Sequence, residues 1–253
     1  MEKYLMKRNF NRGSILGLPF DQLSNVDTID FINGVLEKKY EHAFYRADLN
    51  VNTIIEAQHS GLIRDFIECA DIVNIDGMGI ILACKLFSIQ PPERVTGVDL
   101  FYDLLKLSDI KKYKVYFLGA TQETIDILNQ KVMMEFPNVT IAGSKNGYFN
   151  NDFDSVIAEI NECEPDLLFI GMKSPEKEIL AYKYKELLKV KMIVGVGGTF
   201  DVYTGKVKRA PIWIQNIGFE WLYRVYQEPR RMWKRYLTSN TKFLILLIKG
   251  LLK

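Results

Sequence analysis

Short runs of β-branched and aliphatic residues alternate with helix-length segments through most of the chain. Strands are predicted over residues 43–48, 72–75, 115–118, 139–142, 167–170 and 192–196. Between the third and fourth, Ile125, Leu128, Val132 and Met133 recur at helical spacing, which predicts a helix over 122–135 with Thr121 as its cap. Another helix is predicted over 176–189, with Ser174 and Pro175 as cap and first-turn pair. Alternation of this kind makes βαβ units, so the expected fold is α/β, a Rossmann-like and mostly parallel sheet flanked by helices. The strands stop at Asp76-Gly77, Gly119, Gly143, Gly171 and Gly195-Val196-Gly197-Gly198. Loops beyond the carboxyl ends of such strands form the ligand crevice, and a nucleotide is expected there.

After Gly205 the pattern changes. Trp, Tyr, Arg and Lys crowd together, and the spacing predicts a helix over 212–226, a break at Pro229, a short basic helix and an apolar end. The expected division is an α/β body over 1–205 and a helical, basic, aromatic-rich appendage over 206–253.

Composition sharpens this division. The 253 residues are 48% apolar, enough for one sizeable core, and the net charge is only +2. That total hides an asymmetry: residues 206–253 hold eleven Lys or Arg against Glu220 and Glu228, so a basic appendage sits on an acidic body. An anionic partner is implied, and the sequence itself chooses between a membrane and a nucleic acid. Trp213, Phe219, Trp221, Leu222, Val225 and Tyr226 interleave with Arg224, Arg230, Arg231, Lys234 and Arg235, as at a membrane interface. Phe243 to Ile248 with Leu251 and Leu252 is too short to span a bilayer, and such a run serves no phosphate-tracking groove, so nucleic acid is not expected. Three scattered cysteines and the lack of a signal-peptide run after the first residues point to a reducing cytosol.

Candidate chemistry gathers at the strand ends. Asp76 closes a buried strand and is followed by Gly77 and Gly79, so its carboxylate can accept a proton from an incoming hydroxyl. The residues alone also fit an aspartate that only makes the turn and caps the next helix. The loop from Gly195 to Asp201 resembles a phosphate cradle, although it lacks the spacing of dinucleotide and P-loop sites. Asp152-Phe-Asp154 matches the DxD of metal-dependent sugar transferases but lies in a polar turn that suits a helix cap, and no metal is assigned to it. His42 and His59 have no partner at ligand spacing.

The stretches ADIVNIDGMGI, ERVTGVDL, VYFLGA, GYF and GVGGTFDVYTGKVKRAPIWIQNIGFEWLYRVYQEPRRMWKRY, in this order, resemble the WecG/TagA/CpsF glycosyltransferases, glycosyltransferase family 26, over residues 14–236. The resemblance implies an inverting enzyme that needs neither metal nor cofactor. It would use a UDP-sugar, typically UDP-N-acetylmannosamine or its uronic acid, to extend an undecaprenyl-diphosphate-linked sugar for teichoic acid or surface polysaccharide. The place implied is the inner face of the cell membrane, reached through the appendage, and self-association is left open. Asp76 would be the general base, Arg94 would lie by the donor, and Arg224, Arg231 and Lys234 would close over the site and face the diphosphate. Asn50 matches the asparagine of the family's Thr-x-Asn loop, and Gly119, Tyr148, Gly198 and Asp201 fall in its other substrate-binding stretches. Two positions depart: Asp48 replaces that Thr, and Lys177 replaces the Gln of Gly-x-Gly-x-Pro-Lys-Gln-Glu. An Asp48–Lys177 pair would compensate. The departures also keep open a donor such as glucose or a uronic acid, and a catalytically silent sugar-nucleotide-binding subunit.

Overall fold

The computed structural model describes residues 10–40 and 42–252, apart from the side chains of Asn216, Arg231, Met232 and Arg235. A hairpin of β1 (Arg12–Ile15) and β2 (Leu18–Asp21) leads into α1 (Asn25–Leu36), which Ser24 and Asp27 cap reciprocally. Then follow β3 (Phe44–Leu49), α2 (Val51–Ala57), α3 (Gly61–Glu68), β4 (Ile72–Ile75), α4 (Met78–Leu86) and α5 (Gly97–Lys111). The second half continues with β5 (Lys114–Gly119), α6 (Gln122–Glu135), β6 (Thr140–Lys145), α7 (Phe153–Cys163), β7 (Leu167–Gly171), α8 (Glu176–Lys183), β8 (Met192–Gly195) and α9 (Thr199–Tyr203).

β3 to β8 form one six-stranded sheet in the order β4-β3-β8-β7-β5-β6, and every pairing is parallel. Each predicted strand is there, with bounds shifted by a few residues at most. Apart from β6 at one edge, which is half-buried, the strands are buried on both faces, as parallel sheets require. Along β5, Val115 and Phe117 turn toward α1, α5, α6 and α9, while Tyr116 and Leu118 turn toward α2, α3, α7 and α8. Because every strand runs the same way, all carboxyl ends open along one edge. The chain leaves the β3–β4 side for β5 and returns through β7 and β8, so the crevice lies where the direction of winding reverses.

Three expectations need correction. The helix predicted over 176–189 ends at Lys183, and the hydroxyl of Ser174 donates to Glu56 Oε2 (2.5 Å) instead of capping it. In the tail, the helix predicted over 212–226 is two, α10 (Ile212–Asn216) and α11 (Glu220–Gln227), because Gly218 takes a left-handed φ of 83° that ends the first. Pro229 does not separate a basic helix from an apolar end. It opens a single 23-residue helix, α12 (Pro229–Leu251), at the one turn where its missing N–H costs nothing. Phe243 of α12 is buried in the core with Leu246 and Leu247 beside it, so this part of the appendage is packed on the body.

Candidate functional site at the strand ends

β3 carries Arg46 and Asp48 on one face, and β4 carries Asn74 opposite Asp48 in register. Asp76, two residues beyond Asn74, returns to that face. Its backbone N–H donates to the Leu49 carbonyl (2.9 Å), which pins the carboxylate at the mouth of the crevice, half-buried. Burial raises the Asp76 pKa to about 6, and the nearby Asp48 and Glu220 charges push the same way against Arg46 and Arg94.

Asp48 is held from two sides. Lys177 Nζ, from the first turn of α8, donates to its Oδ1 (2.6 Å), and Asn50 Nδ2 donates to its Oδ2 (2.7 Å). The compensating pair expected from the two departures is therefore formed. Lys177 Nζ also stands 2.6 Å from Oε1 of Glu178, a completely buried carboxylate. Burial works against the lysine's charge, but Asp48 and Glu178 outweigh it and hold its pKa above the ordinary value. Asn50 spends its oxygen on the N–H groups of Asn52 and Thr53 as the cap of α2, so its orientation is fixed from below.

Arg46, 1% exposed, lies under this cluster and was not singled out from the sequence. Its guanidinium donates to Asn74 Oδ1 (2.7 Å) and to the carbonyls of Val95 (3.1 Å) and Gly195 (3.4 Å), tying the ends of β3, β4 and β8 together. The signal was available: an arginine in the otherwise apolar run FYRADL has to meet several acceptors if that strand is buried.

The appendage reaches this edge. Arg94 Nη1 lies 3.5 Å from Glu220 of α11, and Arg209 grips Asp99 at the start of α5 with two bonds of 2.5 and 2.6 Å. Arg224 arches over the glycine loop: a Cβ on Gly198 would stand 3.7 Å from its Nη1. Lys234 is exposed, with its ammonium 5.7 Å from the ring centre of Trp233, and among the described residues it makes no ion pair with the cluster. The side chain of Arg231 lies outside the described residues.

Beyond β5 and β6 a second group lines an open cleft of about 550 Å³, with Ala120, Thr121, Tyr148, Asp201, Lys206 and Gln227 among its walls. Gly119, next to Ala120, has a φ of 132°, and a Cβ there would fall 2.5 Å from the carbonyl of Gly171, so the close approach of β5 to β7 at this end requires glycine. Thr124 donates to Asp201 (3.2 Å), and Lys206 stands 3.3 Å from the same threonine, so sequence-predicted Asp201 and the unforeseen Lys206 are linked. Asp152 caps α7 through the Ser155 N–H (3.2 Å). Among the described residues no three His, Cys, Asp or Glu side chains are grouped to hold a metal ion.

Residues 13–253 match the family model described as "Glycosyl transferase WecG/TagA/CpsF family". A Bacillus spizizenii protein named N-acetylglucosaminyldiphosphoundecaprenol N-acetyl-beta-D-mannosaminyltransferase is 31% identical over 238 residues, 90% of this chain and 91% of that one. A Bacillus subtilis protein of the same name is 33% identical over 73% of this chain and 71% of its own length. One from Staphylococcus aureus is 25% identical over 90% and 88% respectively.

Proposed function

The chain belongs to the WecG/TagA/CpsF family of glycosyl transferases, and we propose that it moves an N-acetylmannosamine-type hexose from a UDP-sugar to an undecaprenyl-diphosphate-linked sugar. The reaction is proposed to invert the anomeric centre and to use no metal ion. One observation carries the reading: a half-buried carboxylate, Asp76, with its pKa raised to about 6, lies within electrostatic reach of Arg94 of the body and Arg209 of the appendage. The relatives' names specify N-acetylglucosaminyldiphosphoundecaprenol, which supports that acceptor.

In the proposed reaction the acceptor hydroxyl gives its proton to Asp76 while its oxygen bonds to the anomeric carbon. The bond from that carbon to UDP breaks and leaves its electron pair on the diphosphate. Such a base has to be ionised near neutral pH yet basic enough to take a proton, and a pKa of about 6 meets both needs. Arg94, Arg224, Arg231 and Lys234 are assigned to the departing diphosphate, where fixed cations stabilise charge as it develops. Asp48, Asn50 and Lys177 are assigned to the sugar, and Tyr148 and Asp201, with backbone at Gly119 and Gly198, to the nucleotide.

The same appendage is assigned to the inner face of the cell membrane as a unit beside the body. Ile212, Trp213, Phe219, Leu222, Tyr226 and Trp233 are exposed among its cations, which supports peripheral attachment. Among the described residues no helix is long and apolar enough to cross a bilayer.

UDP release measured with a panel of UDP-sugars, a short-chain GlcNAc-diphosphate lipid and excess chelator tests the proposal. Acceptor-dependent release with the N-acetylmannosamine donor, reduced roughly 10²- to 10⁴-fold by Asp76→Asn, is expected. Release from none of the donors overturns the enzymatic reading, and undiminished release by Asp76→Asn overturns the base.

A further inference from the structure

Helix α4 begins two residues after Asp76 and presents a face that is left exposed among the described residues. Leu82 is 58% exposed and Leu86 51%, and with the exposed Lys85 they stand at i, i+3 and i+4, on one side of the helix. No acid occurs in MGIILACKL. Both ends of α4 touch the appendage. A Cβ on Gly218, between α10 and α11, would lie 2.9 Å from Met78, and one on Gly250 of α12 would lie 2.8 Å from the ring of Phe87.

α12 has the matching division. Phe243, Leu246 and Leu247 turn inward, Gly250 lies against Phe87, and Leu244, Ile245, Ile248 and Leu251 remain exposed. Its 23 residues contain no acid and include Lys242 and Lys249. Two helices in contact thus expose leucine and isoleucine beside basic residues and no acid, a composition that suits an anionic lipid surface better than water or an acidic-rimmed protein interface.

We propose that α4 of the body, together with the exposed side of α12, rests on an anionic bilayer, so that the membrane surface includes the helix that directly follows Asp76. This rests on the peripheral-membrane reading above and extends it from the appendage to the body. At 1.5 Å per residue the nine residues of α4 span about 14 Å. Lipid contact along it fixes how far Asp76 stands above the headgroups from which a diphosphate-linked sugar projects.

Co-sedimentation of the full chain with phosphatidylglycerol–phosphatidylcholine vesicles tests this, with Leu82→Glu/Leu86→Glu against wild type and Ile110→Glu as a control on an exposed apolar residue of α5. The double variant is expected to partition at least about tenfold more weakly, with Ile110→Glu unchanged. Its thermal unfolding midpoint should stay within a few degrees of wild type; if it does not, Leu82→Gln/Leu86→Gln must show a severalfold loss. Equal partitioning of wild type and the folded double variant overturns the role of α4 while leaving the appendage reading in place. Failure of wild type itself to bind overturns the membrane reading. Conversion of a wild-type dimer to a monomer, with vesicle binding intact, would make the surface a contact between two copies and also overturn the proposal.

Discussion

Lys177 and Asp48, 129 positions apart in the chain, meet at 2.6 Å at the ends of neighbouring elements, and each is more than 85% withdrawn from water. The two positions at which the chain departs from the pattern it resembles thus neutralise each other as one ion pair. Lys177→Gln would leave Asp48 and Glu178 buried without their cation and should cost about 3–5 kcal/mol in denaturant unfolding. Asp48→Thr should cost less, because Lys177 keeps Glu178. The double variant should cost less than the sum of the singles by about 1–2 kcal/mol, and strict additivity would mean that the pair does not act as a unit.

Asp76→Asn should stabilise the protein while it silences it. A carboxylate whose folded pKa is raised from 3.8 to about 6 favours folding below its unfolded pKa and loses that contribution as pH rises through 6. At pH 7.5 the ionised group is a burden. Allowing for its partial contact with water, removing the charge should yield about 1 kcal/mol, or about 2–4 °C in Tm. A scanning calorimeter would show the rise, which should vanish near pH 4.

The acid limb of kcat/KM should bend near pH 6, with activity falling as Asp76 takes up a proton. Glu220→Gln removes one of the negative charges that hold this pKa up, so the bend should move to lower pH; Glu220→Asp should leave it nearly in place. A pH–rate profile that is unmoved by Glu220→Gln would show that α11 does not tune the base.

The sheet was legible because most strands are short, largely apolar runs that end at glycine or a polar residue, and Thr121, Asp152 and the helix over 122–135 were legible from local rules. The hairpin of β1 and β2 was not, since RGSILGLPFD is too short to show a period. The tail was misread for a related reason: Pro229 looks like a breaker in sequence, yet it is equally suited to open a helix, and only packing of Phe243 decides. At the site, Asp76 and the arginines could be named from motifs. The meeting of Lys177 with Asp48, the buried Arg46 and the link from Arg94 to Glu220 depend on separations of tens to more than a hundred residues that no local spacing reveals.

Gly119→Ala tests the proposed placing of the nucleotide at the end of β5. A φ of 132° and a Cβ 2.5 Å from the Gly171 carbonyl leave the new methyl group no room, so the β5 and β7 ends must part. Loss of about 2–4 kcal/mol of stability is expected, and UDP affinity measured by calorimetry should fall with it. Unchanged UDP affinity in a folded variant would move the nucleotide elsewhere.

The contact of Gly250 with Leu16 and Phe87, and of Phe243 with the core, has a kinetic meaning. During synthesis the hairpin and the sheet leave the ribosome long before the helix that covers them. Until those late residues arrive, an oily gap stays open on the α2 side, and contacts so distant in sequence form slowly. A nascent chain of this kind is expected to lean on chaperones until α12 has docked.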